Sequence, residues 1–186
     1  MRKSLAAAVA VLALSGCAYD GYYGNYGYYS EGWWGSQSRF VNANYDAVDT
    51  LAKSVSMPLR TPIVVATVVD VDNLDHSSTF GRLVTEQVAS RLAMLGYSPI
   101  ELKLRGNLFV RAPAGELLLS REVSQIAQQH NAPVVVVGSY GRGYSTAYVS
   151  LKLVAVADNQ ILAGTDYPIP ITENLRRLVR SDSRYY

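Results

Sequence analysis

The sequence predicts an α/β two-layer sandwich: a mixed sheet with helices packed on it, closing in a C-terminal three-strand meander. Three observations carry this expectation. Residues 63–69 and 134–140 are apolar on both faces, as strands buried between helices are. Phe80, Val84, Val88, Leu92 and Leu95 recur at helical spacing between those two strands. From Tyr148 onward apolar and polar residues alternate, the pattern of antiparallel strands with one covered face.

Taken in order, the chain opens on Arg2 and Lys3, a positive region followed by an apolar run over residues 5–14. That run is about ten residues, against the roughly twenty a membrane-spanning helix needs, so it reads as a secretion signal. It closes on Leu14-Ser15-Gly16-Cys17. Small residues at 15 and 16 let the backbone enter a peptidase cleft. Cys17, the only cysteine, then presents the thiol that takes a diacylglyceryl group. The segment resembles the bacterial lipobox; the alternative is an ordinary signal with an incidental cysteine. Residues 1–16 are therefore assigned to the signal peptide and 17–38 to a lipid-anchored Tyr/Gly-rich tether. The tether lacks aliphatic periodicity. Its rings suit a membrane–water interface, a glycan or partner surface, or simply a sticky linker.

The α/β domain is assigned to residues 39–186. Asn44 is expected to cap a helix bearing Val48, Leu51, Ala52 and Val55, ended by Met57 and Pro58. Pro62 opens the first strand. Ser78 or Thr79 caps the longest helix, and Gly96 stops it. Residues 97–104 form a second strand, followed by a loop with Gly106, Pro113 and Gly115. A helix capped by Ser120 then turns Val123, Ile126 and Ala127 inward. Strands over 134–140, 148–156 and 161–167 make the meander, the last two joined at Asp158-Asn159, residues that tolerate positive φ. Thr172 caps a final helix containing Leu175, Leu178 and Val179.

Composition narrows the function. Arg2 and Lys3 leave with the signal, so 17 basic residues become 15, against 15 acidic ones. A neutral mature chain has no global field to attract nucleic acid. With Cys17 acylated no disulfide can form, so the fold relies on its core. Each buried acyl CH₂ contributes about 0.8 kcal/mol, and two or more chains, palmitate among them, hold a protein stably on a bilayer. The residue after Cys17 is Ala18 rather than aspartate, which in the bacterial sorting rule directs the anchor to the outer membrane, with the domain in the periplasm.

Several clusters carry residue types suited to chemistry. Asp70, Asp72, Asp75 and His76 stand between a strand end and a helix start, where three carboxylates and an imidazole suit a divalent cation. They lack the glycine and terminal glutamate of a calcium loop, and acids there also favour a helix N-terminus. Gly138-Ser139-Tyr140-Gly141-Arg142-Gly143 has no following helix and no Lys-Ser/Thr pair, so a bend between strands explains its glycines better than a phosphate cradle. Ser77, Ser78 and Ser139 lie outside any G-x-S-x-G context. His130 stands near a helix end, where a cation favours the dipole. No catalytic residue, metal or cofactor is expected. Arg142, Arg176, Arg177 and Arg180 are candidate contacts for an anionic partner or polymer; a solvated basic face is the alternative.

These pieces in series are similar to the FlgO family of flagellar outer-membrane lipoproteins. The matching stretches include Phe40-Val41-Asn42, Ser77-Ser78-Thr79-Phe80-Gly81-Arg82, Ser90-Arg91-Leu92 and Gly96-Tyr97. Further on come Glu101-Leu102-Lys103-Leu104-Arg105, Asn107-Leu108-Phe109-Val110, Leu119-Ser120-Arg121-Glu122 and Val137-Gly138-Ser139-Tyr140. The resemblance implies a non-enzymatic accessory of the flagellum at the outer membrane, acting through protein contacts, with Cys17 the one site residue carried over. A homo-oligomer suits that setting. The element order is also similar to the amino-terminal domain of TolB and to lipoproteins that activate peptidoglycan synthases. An envelope adaptor regulating such a synthase is therefore the alternative function.

Overall fold

The computed structural model describes residues 33–102, 109–111 and 117–180. Cys17 and the signal and anchor assignments lie outside them, as does the tether up to residue 32; residues 33–38, assigned to the tether, instead form the start of a helix. No helix among the described residues is long and apolar enough to cross a membrane.

Among the described residues four helices, α1 (Trp33–Ser54), α2 (Thr79–Met94), α3 (Arg121–Gln129) and α4 (Glu173–Arg180), pack on one main sheet. Its strands are β1 (Pro62–Ala66), β2 (Val69–Asp70), β3 (Ser98–Leu102), β6 (Val134–Arg142), β7 (Thr146–Ala155) and β8 (Ile161–Pro170), in the order β3-β1-β6-β7-β8. β1 runs parallel to β3 and β6, β2 continues beside β6, and β6-β7-β8 is an antiparallel meander. The sheet is mixed, as the alternation of pattern along the chain predicts. A separate hairpin, β4 (Phe109–Arg111) with β5 (Leu117–Leu119), occupies the stretch read as a loop. Three-residue strands are too short to leave a period in the sequence.

α2 follows its predicted stripe. Phe80, Val84, Val88 and Leu92 are buried against the sheet. Ser78 is the N-cap, its hydroxyl accepting the Gly81 N–H. Gly96 adopts φ +88°, and the N–H groups of Gly96 and Tyr97 bond to the carbonyls of Ala93 and Leu92. That is a Schellman stop, and it needs a residue at ease in the left-handed region. Ser120 caps α3, accepting from Val123 N–H, and Thr172 accepts from Leu175 N–H at the start of α4.

Asn44 does not cap a helix. α1 begins at Trp33, and Asn44 lies in its interior, fully buried. Its amide donates to Gln87 of α2 and accepts the Tyr167 hydroxyl from β8. A polar residue preceding an apolar run looks the same whether it serves local backbone or a distant partner. The β7–β8 connection also differs: it spans residues 156–160, with only Asn159 at positive φ, 60°. The Asp158 side chain instead accepts the Gln160 N–H.

The sheet buries its two faces unequally. On one, α1, α2 and α4 cover a large apolar cluster with an aromatic seam. Phe40 and Phe80 are 5.5 Å apart and Phe80 meets Tyr140 edge-on at 5.2 Å. On the other, α3 places Val123 and Ala127 over Val64, Ala66, Val135 and Val137, and Tyr148, Lys152, Gly164, Asp166 and Pro168 of β7 and β8 are exposed. Both outer strands carry proline: Pro99 in β3, and Pro168 and Pro170 in β8.

Candidate functional site

Two stretches that the sequence holds far apart meet at the C-terminal end of the parallel strands. Between β1 and β2 the chain leaves the ladder at Thr67-Val68, splitting what reads as one long strand. Thr85 of α2 and Ser77, just ahead of its N-cap, satisfy the freed backbone. The Val68 N–H donates to Thr85 Oγ1 at 2.9 Å, and the Val68 carbonyl accepts from Ser77 Oγ at 2.7 Å. Gly81 sits against that carbonyl so closely that a Cβ would lie 2.3 Å from the oxygen. The Tyr140 hydroxyl donates to Ser78 Oγ at 2.8 Å and accepts the Ser78 N–H at 3.2 Å. Burial pushes the Tyr140 phenol up, so it remains a neutral donor. Arg82 closes the set by bonding the Ser77 carbonyl and Thr79 Oγ1. Of the three candidate serines, Ser77 and Ser78 are thus the strap and cap of α2, while Ser139 lies on the thinly covered sheet face beside Tyr148 and Asp166.

The acidic loop folds on itself. Asp70 Oδ1 accepts the Asp72 N–H at 3.0 Å, the Asp70 N–H donates to the His76 carbonyl, and the His76 N–H donates to the Asn73 carbonyl. Asp70 Oδ2 pairs with Arg142 at 3.2 Å. Buried Asp70 therefore answers a guanidinium rather than the α2 N-terminus, which Ser78 caps. Among the described residues no group of three or more His, Cys, Asp or Glu is placed to hold a metal ion. The Gly138–Gly143 stretch continues β6 as far as Arg142 and then turns, with the Gly143 N–H donated to the Thr146 carbonyl at 2.8 Å. His130 forms the exposed C-cap of α3.

The basic candidates converge. Arg142 from the end of β6 and Arg176 and Arg180 from α4 line one open groove of about 300 Å³, with Tyr144, Ile171 and Asp72. Tyr144, at the tip of the β6–β7 turn, is 100% exposed. α4 is oriented by Leu175 and Val179, which insert into the main core and turn Arg176 and Arg180 toward β6. Arg176 also pairs with Glu173 at 3.0 Å. Arg177, one step around the helix, is exposed and outside the groove. No single segment reveals this convergence, because it depends on the position of α4 over the end of β6.

Residues 45–174 match the family model described as FlgO protein, well over half of the chain. The chain belongs to the FlgO family. Residues 1–18 match the prokaryotic membrane lipoprotein lipid attachment site, which makes this FlgO member a lipoprotein attached to a membrane. No curated protein matches it significantly. Its domain has the fold of the LpoB C-terminal domain from Salmonella enterica: TM-score 0.54, 14% identity, 70% of this chain and 98% of that one. The corresponding domain from Escherichia coli gives 0.53 at 14% identity, over 70% and 97%. TolB from Acinetobacter baumannii aligns over 63% of this chain and 25% of its own, with TM-score 0.35 and 14% identity. The junction of Ser77–Arg82 with Val137–Tyr140 gives these stretches of the FlgO member a physical account: together they cap α2, seat it at contact distance and close the break in the strand.

Proposed function

We propose that this FlgO-family chain is an outer-membrane lipoprotein that supports flagellar assembly, anchoring or motility through protein contacts of its α/β domain, without a catalytic step. The observation that carries the reading is the family match over residues 45–174 on a chain with a lipid attachment site over residues 1–18. The acyl group on Cys17 holds the protein at the membrane, Ala18 directs it outward, and the folded domain faces the periplasm. Ser77 and Ser78, two of the three candidate serines, are engaged in strapping and capping α2, which supports a binding role over a hydrolytic one.

The test is deletion of the gene in its host, scoring swimming together with the number and attachment of flagella. Missing or detached filaments, restored by the wild-type chain but not by Cys17→Ser, are expected. In that variant labelled palmitate should no longer enter the protein, since the thiol is the acylated group. Normal swimming overturns the flagellar reading. It leaves an envelope adaptor regulating a peptidoglycan synthase, for which the LpoB-like fold provides a scaffold but no partner.

A further inference from the structure

The groove between β6 and α4 has the chemistry to say what kind of partner it takes. Its lining carries three guanidinium groups and one carboxylate, Asp72. Arg142 is also paired with Asp70, and Arg176 with Glu173, whose exposed position makes that pair weak and replaceable by a partner's carboxylate. Arg142 is held from behind by Asp70, which is buried, so it is presented in a fixed position. Arg176 and Arg180 are one helical turn apart, about 6 Å along the axis. Carboxylates at alternate positions of an extended peptide recur at about 6.6 Å on one side of the strand. A guanidinium matches a carboxylate with two parallel N–H donors. Tyr144 and Ile171 add apolar surface to the same lining, and tyrosine and arginine are enriched among the residues that dominate binding energy.

A phosphate polymer fits less well. The Gly143 N–H, the backbone donor nearest to a cradle, is committed to the Thr146 carbonyl, and Asp72 opposes a dense run of negative charge. We propose that this groove is the docking site for an extended acidic segment of a partner protein. Its alternate carboxylates engage Arg176 and Arg180. The assignment deepens the protein-contact reading above and rests on it, but not on the partner being flagellar.

The mature lipidated chain in zwitterionic detergent micelles, titrated with a fluorescein-labelled peptide of alternating glutamate and leucine, tests it by anisotropy. Arg176→Glu combined with Arg180→Glu should weaken binding by about tenfold or more, with the melting temperature unchanged. Arg177→Glu should bind as wild type, and a lysine–leucine peptide should reverse the preference of the double variant. Equal binding of the acidic peptide by wild type and double variant overturns the proposal, as does stronger competition by inorganic polyphosphate than by the acidic peptide at equal charge. The two readings fail separately. Normal swimming of the deletion strain with peptide binding intact overturns the flagellar role alone. Lost swimming that the double variant fully restores, with undiminished peptide binding, overturns the groove alone.

Discussion

The two faces of the sheet hold the protein together in different ways. Under α1, α2 and α4 the core is deep, aromatic and threaded by polar links that join elements far apart in sequence. Tyr167 to Asn44 spans 123 positions and Tyr140 to Ser78 spans 62. Under α3 the contact is a thin layer of valine and alanine with no ring among its buried residues. Stability is therefore concentrated on one face. Arg176 and Arg180, on the exposed side of α4, can vary for recognition without disturbing what holds the domain together.

The sharpest way to break this comparison is to truncate one residue on each face. Phe80→Ala should cost about 3–5 kcal/mol, because it empties the centre of the aromatic seam. Val123→Ala, which removes two methyl groups under α3, should cost about 1–2 kcal/mol. Urea unfolding measures both, and equal losses would mean that the faces share the load. Tyr167→Phe tests the polar links. It leaves buried Asn44 without its hydroxyl donor, so about 1–3 kcal/mol should be lost although no carbon is removed. Burial holds the Tyr167 phenol well above its ordinary range, so this loss should be constant from pH 6 to pH 9.

The smallest effect belongs to the α1–α2 surface pair. Arg91 grips Asp49 with two bonds of 2.7 Å and lies 5.4 Å from the Tyr45 ring centroid. Arg91→Ala should lower stability at neutral pH by less than Tyr167→Phe, because solvent screens the pair. The Arg91 hydrogen bond holds the Asp49 carboxyl below its ordinary 3.8. A carboxylate with a lowered folded value stabilises above its unfolded one and loses that contribution as pH falls. The gap between variant and wild type should therefore be full above about pH 5 and shrink below 3.8. A gap that widened in acid would contradict the pairing.

What the sequence makes legible follows from the range of the forces involved. The α2 stripe, the Ser78, Ser120 and Thr172 caps and the Gly96 stop are local, and a few neighbouring residues determine each. The role of Asn44 is not local, because its partners are 43 and 123 positions away. Nor is the break between β1 and β2, since a run apolar on both faces has no period to interrupt and the bonds that close it come from Ser77 and from Thr85 of α2. The arginines were legible one at a time. Their meeting was not, because the groove exists only once the meander returns β6 beside the helix that ends the domain.

The prolines of the outer strands have a further consequence for a protein fastened to a membrane by lipid. Anchoring confines copies to a plane and raises their encounter rate, the condition under which exposed strand edges template one another. Pro99 on one border, and Pro168 and Pro170 on the other, lack the N–H that a neighbouring chain would need to extend the sheet. At these positions an approaching strand finds no donor, which disfavours extension of the sheet from one copy to the next.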